Sequence, residues 1–572
     1  MPTEMESTAG RANRPYGELV ISTLRILGAG HFVISPGSRS TPLALALAKL
    51  APESITVGID ERSAAFYALG RIKATREPVV LVCTSGTAGA HYYPALIEAR
   101  ESGLPLVVLT ADRPPELRHC HAGQTIDQLK LFGNYPVFQA ELPLPEPNAL
   151  LFRQVRELCR RAMESAVGAP RGPVHLNCPF REPFLPSAGD EPYALDSALL
   201  QDLNPVRRTH ASPGQRPNLP ERTLILAGPR PWLDEASEWE SLLDLSWQRG
   251  FPILVDAANP LRYHAGECPH LIIHYDRIVR DDAAWEELKP EAVILWGEPP
   301  TSKVLRQRLM DLDIRGYIVG EGKRGINPLH GRIEWAGKNV AAFVERTRGE
   351  KGHYGEPWAT RDREMEEQLL KAMAAPHELF EGDIHRKLGE ILPEAAPIIF
   401  SSSLAVRDAE WFMPRRKTAL HPFSQRGANG IDGMLSLARG IADGMQQPAW
   451  LVTGDLAFLH DSNGLLGAGT ADPGLFVILI NNGGGGIFEF LPIASEEAVF
   501  EPFFATPQTV DFGQLITAHG GQHSVCRDIN ELESAVSDWD GTGLRVLEVI
   551  VERKASRDLH RAFLKLSSNQ EQ

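Results

Sequence analysis

Short apolar strands alternating with helical stretches constrain this chain more than any other feature, because such alternation closes into parallel sheets with helices on both faces. HFVIS leads through PGSRS into TPLALALAKL, SITVGI into DERSAAFYALGRI, and PVVLVC into TSGTAGAHYYPALIEA and a further strand at LPLVVLTADRP. A second set begins near residue 221 with TLILAG, FPILVD, AVILWG and GYIVGE; a third carries APIIFS, PAWLVTG, LFVILIN and LRVLEVIV. At 572 residues the chain exceeds what one core supports. The expected fold is therefore α/β, with three doubly wound parallel-sheet domains at 1–190, 221–345 and 377–572. A linker rich in proline and polar residues at 191–220 and a connector with a charged segment at 346–376 join them, and the tail SSNQEQ is expected to fray. The second set looks Rossmann-like, yet no GxGxxG follows its first strand, so no dinucleotide is expected there.

Composition narrows the function classes. A 43% hydrophobic and 23% charged chain suits a soluble globular protein. No apolar run approaches the roughly 20 residues that span a bilayer. The polar N-terminal stretch lacks the apolar core of a secretory signal, so a cytoplasmic location is expected. Cys83, Cys120, Cys159, Cys178, Cys268 and Cys526 show no CxxC spacing and read as reduced thiols rather than a disulfide or zinc framework. A formal net charge of -15 argues against nucleic acid as a partner; anionic substrates would need local clusters of arginine and lysine.

One spacing points to chemistry. PAWLVTGDLAFLHD reads as a buried strand ending at Gly454-Asp455, and LFVILINNGGGG as another ending near Asn482, with 26 residues between Asp455 and Asn482, room for a crossover helix. Both side chains then sit at the carboxyl edge of a parallel sheet, where such sheets bind ligands. Asp and Asn oxygens with a glycine-loop carbonyl suit Mg²⁺, which takes oxygen ligands and completes its shell with phosphates and water. Read blandly, a GD after a strand and a run of glycines are only a loop. The pattern resembles the diphosphate-anchoring motif of thiamine diphosphate (ThDP) enzymes. Those enzymes also need a carboxyl group that hydrogen-bonds the cofactor's pyrimidine nitrogen, and Glu61, after SITVGI at a helix start, is the candidate. By spacing alone an acid at a helix start is more often a helix cap or dipole partner, and Glu61 reads that way without the resemblance.

PGSRSTPLA, DERSAAFYALG, TSGTA, ADRPPELR, NCPFREP, PTSK, SSSLAVRD, RGANGIDG and GDLAFLHD, in this order along nearly the whole chain, together resemble the 2-succinyl-5-enolpyruvyl-6-hydroxy-3-cyclohexene-1-carboxylate (SEPHCHC) synthase family. The resemblance implies pyrimidine-binding, central Rossmann-like and diphosphate-binding domains, with ThDP and Mg²⁺ (or Mn²⁺) held across the interface of a homodimer or a dimer of dimers. It implies decarboxylation of 2-oxoglutarate and addition of the succinyl carbanion to isochorismate in menaquinone or phylloquinone synthesis. It makes Asp455, Asn482 and the Gly484 carbonyl the metal ligands, Glu61 the proton-holding group, Ile431 the wedge between the cofactor rings, and Ile487 and Phe488 part of the site wall. Ser403, Arg407 and Arg426 would bind the carboxylate derived from 2-oxoglutarate; Ser38, Arg39, Arg113, Gln124 and Lys303 would bind isochorismate.

Residue chemistry agrees with these substrates, since both are dicarboxylates and the arginine fork matches carboxylate geometry. Ser403 and Arg407 are spaced i and i+4 and share a face if SSSLAVRD starts a helix. Without the resemblance each arginine reads as a solvated surface charge and Ile431 as a core residue under a glycine loop. For Arg39 the surface reading is weaker, because PGSRS forms a strand-to-helix turn with backbone donors of its own. Three departures stand out: Leu456 replaces the last glycine of GDG, Val304 stands where some relatives have arginine, and Gly123 where some have asparagine. His119, His121 and the cysteines are given no covalent role. Competing readings are another ThDP-dependent 2-oxoacid decarboxylase or carboligase, which would not need the Arg407 and Arg426 pair, and a non-catalytic ThDP-binding sensor.

Overall fold

The computed structural model describes residues 4–186, 191–206, 217, 219–230, 236–264, 268–320, 327–347 and 350–566. The SSNQEQ tail and part of the 191–220 linker lie outside the described residues. The chain divides into two compact units, Met1–Thr209 with Arg439–Met445, and His210–Ala438 with Gln446–Gln572.

In the first unit six parallel strands lie side by side in the order Ile55–Val57, His31–Ile34, Val79–Cys83, Leu106–Asp112, Val174–Pro179 and Phe138–Glu141. The central strands are buried on both faces, which is why VVLVC and LVVLTAD read as nearly unbroken apolar runs. One face is covered by helices that include Glu4–Ile26, Thr41–Leu50 and Ala149–Val167. The last buries Phe152, Val155, Cys159, Ala162, Met163 and Ala166, a stripe at helical spacing, and Asn148 caps its start. The described part of the linker packs on this unit: the Tyr193 N–H donates to Arg11 O, its ring stacks on Phe152, and the Val206 N–H donates to Leu27 O.

The second unit holds two more six-stranded parallel sheets. In one the order is Leu271–Ile272, Ile253–Val255, Thr223–Ala227, Ala292–Trp296, Arg315–Val319, Arg332–Trp335, the doubly wound order in which the chain reverses direction at its first strand. In the other it is Leu420–Ser424, Ala396–Phe400, Ala449–Gly454, Leu475–Asn481, Leu544–Ile550, Gln522–Cys526. That order repeats the first unit's, strand for strand. The 346–376 stretch contains a helix, Gly355–Met373, that ties the two sheets of this unit together. Its Trp358 and Met365 enter one core and its Leu369 the other. Buried Asp362 accepts the N–H groups of Ile273 and His274 and pairs with Arg415 at 2.6 Å.

Candidate active site

Strands Ala449–Gly454 and Leu475–Asn481 pair in parallel with Gly454 opposite Ile480, so Asp455 and Asn482 emerge from adjacent carboxyl ends. The connection is a short helix, Asp455–His460, followed by 3₁₀ turns, where the sequence reading left room for a full crossover helix. Asp455 is 4% exposed and accepts the N–H groups of Leu456 and Gly484, each at 2.7 Å. Burial pushes its carboxyl up to about 6 against the pull of those donors. Asn482 turns its amide NH₂ to Glu381 at 3.1 Å, and its Oδ1 is buried with no partner. Gly484 has φ of 128°, and a Cβ there would lie 2.1 Å from Ala505 O, so only glycine brings this backbone to the site. Asp455, Asn482 and Gly484 line one cavity of about 120 Å³. An under-compensated carboxylate, an orphaned amide oxygen and a loop carbonyl form a donor set that suits a hard divalent cation. Among the described residues no cluster of three His, Cys, Asp or Glu side chains offers an alternative.

Ser403, Ile431, Ile487 and Phe488 line the same cavity. Ile431 is half-buried there and not a core residue. Ser403 and Arg407 meet differently from the expected shared helix face: the helix starts at Ala405, and Ser403 precedes it in the left-handed region with φ of 74°. The Arg407 guanidinium donates to the Ser403 carbonyl, which ties the two residues together. Burial lowers the Arg407 pKa, and the charges of Arg426 and Arg306 lower it further, so three guanidinium groups share one neighbourhood. Lys303 is exposed at the start of helix Lys303–Met310, capped by Ser302, while Val304 packs against the core of its sheet.

In the first unit the candidates also follow strand ends. Asp60 caps the helix Glu61–Thr75 by accepting the Arg62 and Ser63 N–H groups, so the capping role falls to Asp60 and not to Glu61. Glu61 is half-buried, and no hydrogen bond or ion pair holds its carboxylate among the described residues. Arg113 donates to Ser85 Oγ, and Gln124, at φ of 56°, donates to Ser85 O at 2.9 Å, so both converge on the TSGTA turn. Arg39 is 4% exposed, donates to Phe180 O, pairs with Glu182 at 2.8 Å and lies over the Phe184 ring; it is not a solvated surface charge. Ser38 is exposed on the same turn.

Family models for the thiamine pyrophosphate enzyme N-terminal and C-terminal TPP binding domains match residues 14–131 and 411–549. The chain is 42% identical over 551 residues to a 2-succinyl-5-enolpyruvyl-6-hydroxy-3-cyclohexene-1-carboxylate synthase of Microcystis aeruginosa, covering 95% of this chain and 96% of that one. It is 43% identical to the synthase of the same name from Synechococcus elongatus, over 94% and 93% of the two chains. The chain belongs to the SEPHCHC synthase family of ThDP enzymes. Benzoylformate decarboxylase from Polynucleobacter necessarius shares the fold, with a TM-score of 0.69 at 16% identity over 94% of this chain and 99% of that one.

Against that family background two departures have a local physical account. Leu456 is helical, so a side chain in place of the last glycine of GDG strains no backbone. Val304 is half-buried and packs against a core, a contact that an arginine would give up by turning outward. Sequence reasoning missed Glu381 and Arg306. Glu381 is 101 positions from the asparagine it touches, a distance no local motif spans. Arg306 lies one turn beyond Lys303, and that i, i+3 spacing was a usable signal.

Proposed function

We propose that this chain decarboxylates 2-oxoglutarate and adds the resulting succinyl unit to isochorismate, giving SEPHCHC for menaquinone or phylloquinone synthesis. The observation that carries the reading is the buried, partnerless Oδ1 of Asn482 beside the buried Asp455, in a chain whose relatives bear this enzyme's name. ThDP, when bound, supplies the electron sink for loss of carbon dioxide and the carbon nucleophile for addition.

The residues would divide the work by position. Asp455, Asn482 and the Gly484 carbonyl would hold Mg²⁺ (or Mn²⁺), whose charge would anchor the cofactor's diphosphate. Glu61, relieved of capping by Asp60, holds or shares a proton at the pyrimidine nitrogen. Ile431, Ile487 and Phe488 form an apolar wall that orients the rings and keeps water from the reacting carbon. Arg407, Arg426 and Ser403 take the distal carboxylate; two mutually repelling guanidinium groups are relieved when an anion binds between them. Ser38, Arg39, Arg113, Gln124 and Lys303 take isochorismate, with Arg39 anchored by Glu182 and Arg113 and Gln124 by Ser85.

The reading extends to domains and assembly. The three sheets serve as pyrimidine-binding, central and diphosphate-binding domains at 1–190, 221–345 and 377–572, and the chain works as a homodimer or dimer of dimers. Val57 and Ile59, 66% and 74% exposed beside Glu61, support a covered surface there. No described helix is long and apolar enough to cross a membrane, and all six cysteines are free; both are compatible with a cytoplasmic location.

The test is incubation with ThDP, Mg²⁺ and 2-oxoglutarate, with and without isochorismate. Isochorismate loss matched to carbon dioxide release, a succinyl adduct by mass, and a loss of at least about 100-fold in Glu61→Gln are expected. If ThDP binds and 2-oxoglutarate is untouched, the substrate assignment is wrong.

A further inference from the structure

A side-chain amide can turn either its oxygen or its NH₂ toward a cation, and only the oxygen is a ligand. Something must therefore decide which way Asn482 faces. The Asn482 NH₂ lies 3.1 Å from Glu381 Oε1. A carboxylate accepts hydrogen bonds and donates none, so it takes the NH₂ end and leaves Oδ1 toward the cavity. Glu381 is itself fixed: it is 1% exposed, and its second oxygen accepts from Ser556 Oγ. Nor is it occupied in capping the helix Glu381–Ile391 that it begins, because Asp383 accepts the Phe380 N–H. Ser556 belongs to the helix Arg553–Leu564, and one turn earlier Arg553 donates to the Gly483 carbonyl at 2.9 Å. That helix thus grips the glycine loop directly and Asn482 through Glu381.

We infer that Glu381, braced by Ser556, is a positioning residue that sets the orientation of the Asn482 amide and so the affinity of the site for its divalent cation. The inference rests on the metal reading proposed above. Partners that orient ligands in this way typically govern affinity by 10- to 100-fold.

The experiment titrates Mn²⁺ into the ThDP-saturated chain and reads free Mn²⁺ by its electron paramagnetic resonance signal, with melting of the metal-free, cofactor-free chain alongside. Glu381→Ala is expected to weaken Mn²⁺ binding at least tenfold. Glu381→Gln can offer its oxygen to Asn482 and its NH₂ to the Ser556 hydroxyl, and is expected to stay within about threefold of the parent. A role limited to packing would lower the melting temperature of both variants and leave Mn²⁺ affinity alone. Binding in Glu381→Ala within twofold of the parent, or equal weakening in both variants, overturns the inference. If Glu381→Ala does not fold, Ser556→Ala decides: threefold or greater weakening supports it, and unchanged binding overturns it. Asp455→Asn separates the two readings. If it leaves Mn²⁺ binding intact, the metal site itself is wrong; if it abolishes binding while Glu381→Ala does not, only the positioning role fails.

Discussion

Asp408 and His560 form an ion pair at 2.9 Å with both side chains fully buried. Burial alone would push the imidazole down, but the charge and hydrogen bond of Asp408, with the charge of Glu381, lift it to about 9. A folded pKa above the ordinary 6.5 means that the pair stabilises the fold fully below pH 6.5 and loses that contribution as pH rises through 9. At about 1.4 kcal/mol per pKa unit the shift corresponds to about 3 kcal/mol. The unit holding the pair has roughly 350 residues, so that energy moves its melting temperature by about 4 °C. Asp408→Asn keeps shape and removes charge. Melting of the cofactor-free parent and variant, followed from pH 6 to pH 10, should show a gap of about 4 °C at the acid end that closes toward the alkaline end. A gap that stays constant across this range refutes the argument, because the pair would then not be ionised.

Other outcomes follow from the site. Arg407→Ala or Arg426→Ala should raise KM for 2-oxoglutarate and lower kcat/KM by about 100-fold, the worth of a charge-assisted carboxylate contact, with ThDP binding unchanged by calorimetry. Lys303→Ala should raise KM for isochorismate about tenfold while slow carbon dioxide release from 2-oxoglutarate alone continues at the parent rate. Gly484→Ala sets a Cβ 2.1 Å from Ala505 O at a φ of 128°, so Mg²⁺-dependent ThDP binding should be lost and melting lowered, as calorimetry and a thermal scan would report.

What the sequence disclosed follows from which groups are buried and how far apart they lie. Central strands such as VVLVC and LFVILIN are covered on both faces, so their burial is written as an apolar run. Phe138–Glu141, Leu271–Ile272, Arg332–Trp335, Leu420–Ser424 and Gln522–Cys526 all lie at sheet edges, and their short or polar strings FQAE, LI, RIEW, LHPFS and QHSVC carry no such signature. The site divides in the same way. Asp455 and Asn482 are legible because each follows directly on a strand end, and strand ends are where a parallel sheet gathers ligands. Glu61 is legible as an acid at a helix start, where the bland reading is a cap, and that cap is taken by Asp60, which accepts the Arg62 and Ser63 N–H groups. A related division occurs in the other matching sheet, where Asp383 accepts the Phe380 N–H and Glu381 accepts the Asn482 NH₂. Two sheets of equal strand order thus each place, at the first residue of a helix, a glutamate whose carboxylate is not used on the backbone, with a nearby aspartate accepting backbone N–H groups instead.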